Sequence, residues 1–218
     1  MSTLLQFEYC VPESQRLADL YGAMHDLDSA IRYCDLHIEI DPTEPNIPVE
    51  ELLRREHTRH ALCRAAFTSY GRCFGGGVRA SLGIDLVERL PTELRDRHAQ
   101  VKSLRDKWVA HSVNHFDDVR IRIDATLSPA GEIEVRGVSM ASQMVGTFVR
   151  AWVIAYRVLF VAVRDLVQED ISAESAKLTA KVKGMSPQDL MRLERVDGVP
   201  LTRKSMDPGQ SRGRYRDE

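Results

Sequence analysis

The sequence predicts a mainly α protein, an up-and-down helical bundle with one small β-hairpin. Three observations predict it. Apolar side chains recur at helical spacing through several long stretches, Pro- and Gly-rich breaks separate those stretches, and one stretch, 119–138, alternates with period two. With 218 residues, 43% hydrophobic and 28% charged, the chain has the composition of an ordinary globular protein and the length for one core-bearing domain. That domain is expected over 1–184, with a polar, flexible tail over 185–218.

In chain order, residues 13–40 place Leu17, Leu20, Met24, Leu27, Ile31, Cys34 and Ile38 on one narrow seam, in alternating three-four steps that a helix brings into line. Three prolines within 41–48 end it. Pro48 suits the first turn of a second helix, where the N–H that proline lacks has no partner anyway. That helix is expected to reach Phe74, with Leu52, Leu53, Cys63, Ala66, Phe67, Tyr70 and Phe74 inward, and to stop at Gly75-Gly76-Gly77. A loop is expected from there to Leu90. Pro91-Thr92-Glu93 opens a third helix whose inner face reads Leu94, His98, Val101, Arg105, Trp108 and Ser112, a seam with polar members. The alternating runs VRIRIDATL and EIEVRGV around Ser128-Pro129-Ala130-Gly131 read as two strands and a turn. A fourth helix is expected over 141–169, apolar on nearly every side within 148–163 and so central in the bundle or at a subunit contact. A shorter helix is expected over 173–183. Beyond Gly184 the chain turns polar, and Arg203, Lys204, Arg212, Arg214 and Arg216 gather among Gly, Ser and Pro.

Composition and motifs narrow the function classes. Thirty basic against 32 acidic residues leave a formal charge of −2, which argues against binding nucleic acid through net charge but leaves room for a local basic groove. Cys10, Cys34, Cys63 and Cys73 form no C-x-x-C pair and no zinc-ligand spacing, as in a reducing compartment. The opening residues MSTLLQFEYC lack the charged and apolar regions of an export signal, so a cytoplasmic location is expected. Residues 144–163 have the length of a membrane span but carry Arg150 and Arg157, each costly at mid-bilayer, so no membrane association is expected. Phosphate-loop, dinucleotide, zinc-protease and serine-hydrolase motifs do not occur. His57 and His60 stand three apart on a helix, with no carboxylate or cysteine placed to complete a metal shell, and neither metal nor cofactor is expected. Gly75-Gly76-Gly77 followed by Arg79 either cradles a phosphate or simply stops the helix.

The sharpest pattern is Arg105-Asp106-Lys107-Trp108-Val109-Ala110-His111-Ser112. An R-x(4–6)-H spacing occurs at Arg32…His37, Arg54…His60, Arg55…His60 and Arg105…His111. Only in the last does the arginine interrupt a core seam, where burying it without a partner costs several kcal/mol. The segment resembles the R-x(4–6)-H motif of HEPN-domain ribonucleases, helical proteins of toxin, abortive-infection and antiphage systems. Ser69-Tyr70-Gly71-Arg72-Cys73-Phe74, with Gly77 and Arg79 beyond, is similar to the abortive-infection branch of that family, and helix order and length fit over about residues 10–170. The resemblance implies a metal-independent RNA endonuclease with Arg105 and His111 catalytic, and Asp106 as the polar residue that orients one of them. In a structural alternative, Arg105 pairs with Asp28 or Asp35 of the first helix, His111 caps its own helix and Asp106 is a surface partner of Lys102.

The chemistry of the residues agrees with RNA cleavage. Arginine is always charged and its planar fork matches a phosphate, so Arg105 can neutralise the extra charge of a pentavalent phosphorane. His111, with an ordinary pKa near 6.5, can take or give a proton at neutral pH. RNA supplies its own nucleophile, the 2′-hydroxyl, leaving a 2′,3′-cyclic phosphate. On one unbroken helix Arg105 and His111 lie about 240° apart, so either the helix unwinds before His111 or two copies pool the pair across a twofold axis. The resemblance implies the second, a homodimer, with the third and fourth helices near the contact. His98, one heptad before Arg105, and Asn114, His115 and Arg79 are candidate RNA contacts. The expected partners are RNA (tRNA or mRNA), a second copy, and a companion antitoxin or nucleotidyltransferase. The rival expectation is a non-catalytic RNA-binding or regulatory scaffold.

Overall fold

Three long helices are drawn together by complementary kinds of side chain: α1 (Pro12–Glu39), α2 (Val49–Cys73) and α5 (Arg150–Lys183). The structure, a computed structural model, describes residues 7–40, 46–75, 80–106, 117–127, 129, 131, 133–144 and 148–193, and for 117–120 and 140–144 the backbone alone. Among these residues the protein is mainly helical with one antiparallel two-stranded hairpin.

The seam of α1 buries Leu20, Leu27, Ile31 and Cys34, with the small Ala23 and Ala30 among them, so two neighbouring backbones approach closely. α1 is antiparallel to α2: the Cys73 thiol donates to the Ala23 carbonyl, Asp26 faces Arg72 at 3.5 Å, and at the other end His37 lies within the field of Arg59. It is antiparallel to α5 as well, with Asp35 bound to Arg157 near one end and Glu13 to Lys181 near the other. α2 and α5 meet through rings. Phe67 stands edge-on to Tyr156 at 5.2 Å and to Phe148 at 5.4 Å, and Tyr70 stacks on Phe160 at 4.5 Å. Such pairs add about 0.5–1.5 kcal/mol each beyond the area they bury.

The shorter elements depart from expectation in instructive ways. The presumed loop after α2 contains α3 (Ile84–Glu88), one and a half turns that bury Leu86 and Val87. α4 (Thr92–Leu104) passes into a wider π turn at Arg105 and Asp106, and the rest of the third helix expected to reach Ser112, Trp108 included, lies outside the described residues. The hairpin is longer than 119–138: β1 (Asp117–Leu127) pairs with β2 (Ile133–Met144), so 141–144 are strand and the last long helix starts at Arg150. That helix also absorbs the separate helix expected over 173–183. It is not apolar-buried all round: Val153, Tyr156, Phe160, Val163, Val167 and Ile171 are inside, while Trp152, Ile154 and Val158 face out. Leu53, expected inward on α2, is exposed. Within the presumed tail, α6 (Pro187–Leu190) makes one helical turn, with the Ser186 hydroxyl accepting from the Asp189 N–H at 3.1 Å. No described helix is long and apolar enough to cross a membrane.

Candidate functional site

The C-terminal ends of α2 and α4 enclose a pocket of about 270 Å³. From α2 come Tyr70, Gly71, Phe74 and Gly75, and from α4 and its last turn come His98, Lys102, Arg105 and Asp106. The α4 residues follow from helix periodicity: steps of four and three residues put His98, Lys102 and Arg105 on one face. Val101, beside them, is the last fully buried position of that helix.

Arg105 is therefore not a core residue. Its side chain is 37% exposed, and its Nη1 donates to Asp106 Oδ1 at 2.8 Å. The stem of Arg105 crosses α2 at Gly71, where a Cβ would stand 3.0 Å from Arg105 Cγ and 3.2 Å from Cδ and Nε. Glycine at this position lets the guanidinium reach the pocket along the α2 surface. The π turn places two consecutive charged residues at the pocket rim, and wide turns of this kind are common at functional sites.

The pocket floor is neutral. The Tyr70 hydroxyl lies 2.7 Å from His98 Nδ1, and the His98 ring meets the Phe74 ring at 4.5 Å. Burial, and then the charge of Lys102, hold the His98 pKa below the usual histidine value. Burial pushes the Tyr70 phenol well above its ordinary value, with nearby Cys73 adding to the effect. Near neutral pH phenol and imidazole are both uncharged and satisfy one another across the helix pair. The charge in the pocket is then that of Lys102 and Arg105 against Asp106, a cationic rim above an aromatic wall. That combination suits a phosphate with a stacked base.

Ala80 and Leu82 are held by α1 and α2 respectively. Buried Asp19 accepts from Gln15 Nε2 at 2.9 Å and from the Ala80 N–H at 3.2 Å, and the Leu82 N–H donates to the Cys73 carbonyl at 2.8 Å.

Of the residues expected to form a site, the structure brings together Arg105, Asp106 and His98. His111, Asn114, His115 and Arg79 lie outside the described residues. The alternative partners do not hold: Asp35 is taken by Arg157, Asp28 is exposed, and Asp106 binds Arg105 rather than Lys102. Tyr70, Gly71, Phe74 and Lys102 are pocket residues that sequence reasoning did not assign to a site. Lys102 was findable, four residues after His98 and three before Arg105, whereas Tyr70 has the spacing of any core aromatic. Among the described residues no group of three or more His, Cys, Asp or Glu is arranged to hold a metal ion.

Comparison of the chain with protein-family models, with curated proteins and with solved structures returned no match.

Proposed function

We propose that this protein is a metal-independent RNA endonuclease of the HEPN type, acting as a homodimer in a toxin or antiphage role. The observation that carries the proposal is Arg105, held by Asp106 at the rim of an aromatic-walled pocket that also carries Lys102. The resemblance of Arg105…His111 to the family motif supports the same assignment, and so does a helical bundle of this order and length. In this reading Arg105 binds the scissile phosphate and stabilises the phosphorane, and Asp106 positions the guanidinium. His111 removes the proton of the 2′-hydroxyl or delivers one to the leaving 5′-oxygen. The nucleophile is the RNA's own 2′-oxygen, so DNA is inert and the products end in 2′,3′-cyclic phosphate and 5′-hydroxyl. Phe74, half-buried at the pocket, offers a surface for the adjoining base.

The test uses wild type, Arg105→Ala and His111→Ala with total tRNA and with a long single-stranded RNA, in EDTA, with analysis of product ends. Each substitution is expected to lower the cleavage rate about 10²–10⁴-fold with the melting temperature unchanged. A fall of less than about tenfold for both overturns the assignment. The second reading, a non-catalytic RNA-binding scaffold, is favoured by the way Arg105–Asp106 and Tyr70–His98 already satisfy one another. It predicts RNA binding without cleavage and loss of affinity alone in Arg105→Ala. Co-purification of an antitoxin or nucleotidyltransferase with an inactive chain points to a nuclease silenced by its partner.

A further inference from the structure

The β1–β2 ribbon carries a run of six exposed aliphatic side chains on one face, and its register shows how that run is built. Ile121 pairs with Met140, Ile123 with Val138, Ala125 with Val135 and Leu127 with Ile133. Val135 and Val138 are three residues apart, so in a regular strand they would point to opposite sides. The bulge between Asp124 and Ala125 leaves Arg136 as an extra residue and brings both valines to the same side. Arg136 itself joins the polar side, donating to Thr126 Oγ1 at 3.2 Å and pairing with Glu134 at 3.1 Å, while Ser139 donates to Asp124 at 3.0 Å. The polar face is thus hydrogen-bonded within itself. The apolar face is bare: Ile121, Ile123, Leu127, Ile133, Val135 and Val138 are 64–73% exposed. Among the described elements, the ribbon's extensive contacts run only between its own two strands. An isolated two-stranded ribbon is marginal in water, and a six-aliphatic face on one is an unmet requirement for a partner.

We propose that this face docks on the same face of a second copy of the chain. Three observations select that occupant. The first is area. An aliphatic side chain carries on the order of 100 Å² of apolar surface, so six at this exposure offer about 400–450 Å² per copy. A standard interface of about 800 Å² per partner, somewhat over half of it apolar, needs about that much. The second is complementarity: a twofold axis places like against like, and among these six side chains there is no polar atom for an apolar partner to leave unpaired. The third is shape, since twisted ribbons stack face to face at about 10 Å with aliphatic side chains interdigitating. The docking does not depend on what the pocket does with RNA.

The experiment is sedimentation equilibrium of the full chain at micromolar concentration, with Val138→Asp and Ile123→Asp on the apolar face and Arg122→Glu on the polar face. Wild type and Arg122→Glu are expected to be dimers. Each aspartate variant should raise the dissociation constant about 30-fold or more while keeping the helical circular-dichroism signal. A monomeric wild type overturns the proposal. So does a dimer that survives Val138→Asp, or one that dissociates with Ile154→Asp on α5 and not with Val138→Asp.

Discussion

The interior between α1, α2 and α5 and the ribbon β1–β2 both present rows of apolar side chains, and they treat them in opposite ways. In the interior Leu20, Leu27, Phe67, Phe160 and Val163 are at most 1% exposed; on the ribbon six aliphatics lie open to solvent. The difference comes from neighbours rather than from composition. α1 has a long antiparallel helix on either side, so Leu20, Leu27, Ile31 and Cys34 of its seam are covered inside the chain. The ribbon stands between α4 and α5 in the sequence and carries its apolar face where no described element meets it. Stability of the interior belongs to the single chain. Any stabilisation of the ribbon face is a matter of association and varies with protein concentration.

The largest expected effect is in the interior. Phe67→Ala removes a ring that touches Phe148 and Tyr156, and it should cost about 3–5 kcal/mol in urea unfolding. A cost below about 1 kcal/mol would mean that the α2–α5 contact is not where the core is held. Next comes pH. Burial, and then the Arg59 charge, hold the buried His37 pKa down to about 4, against about 6.5 in the unfolded chain. The unfolded state therefore takes up the proton first. The contribution of neutral His37 is complete above about pH 6.5 and is lost as pH falls toward 4, by roughly 3 kcal/mol in all. His98 acts in the same direction. His37→Gln should flatten that part of the stability–pH profile, and an unchanged slope would show that the imidazole is hydrated in the folded state. The smallest effect is on the ribbon: Val135→Ser, measured at a dilution where the chain is monomeric, should change unfolding free energy by less than about 0.5 kcal/mol. A larger loss would show that the ribbon face is covered within the monomer, and the contrast between the two regions would fall.

How much of this was legible residue by residue depends on the range of the forces involved. The α1 seam was legible because each apolar position obeys one local periodicity. The hairpin was legible from its alternation, but the bulge at Arg136 was not, since a bulge is a relation between two strands. The break expected after 169 was wrong for a specific reason. Glu169 and Asp170 look like the polar end of a helix, yet both bind Arg89, Ser172 turns its hydroxyl back to the Gln168 carbonyl, and Ile171 continues the buried face. α3 is too short for any periodicity to show. At the site, Arg105 stood out because it interrupts a seam, and Asp106 because it follows that arginine in the segment that resembles the family motif. The Tyr70–His98 bond joins residues 28 apart in the chain, and nothing near either one signals it.

The sequence by itself determined where the long helical seams run, that Pro and Gly separate the first two, which stretch alternates as a strand, and which arginine breaks the pattern. These are short-range properties, set by backbone sterics and by the spacing of apolar side chains along one element. Only the tertiary structure decided that Arg105 rests on Gly71 at a pocket rim instead of in the core, that Asp35 belongs to Arg157, and that the ribbon's aliphatic face is left uncovered. Each of these depends on which two surfaces meet, and close packing between elements distant in sequence settles that choice.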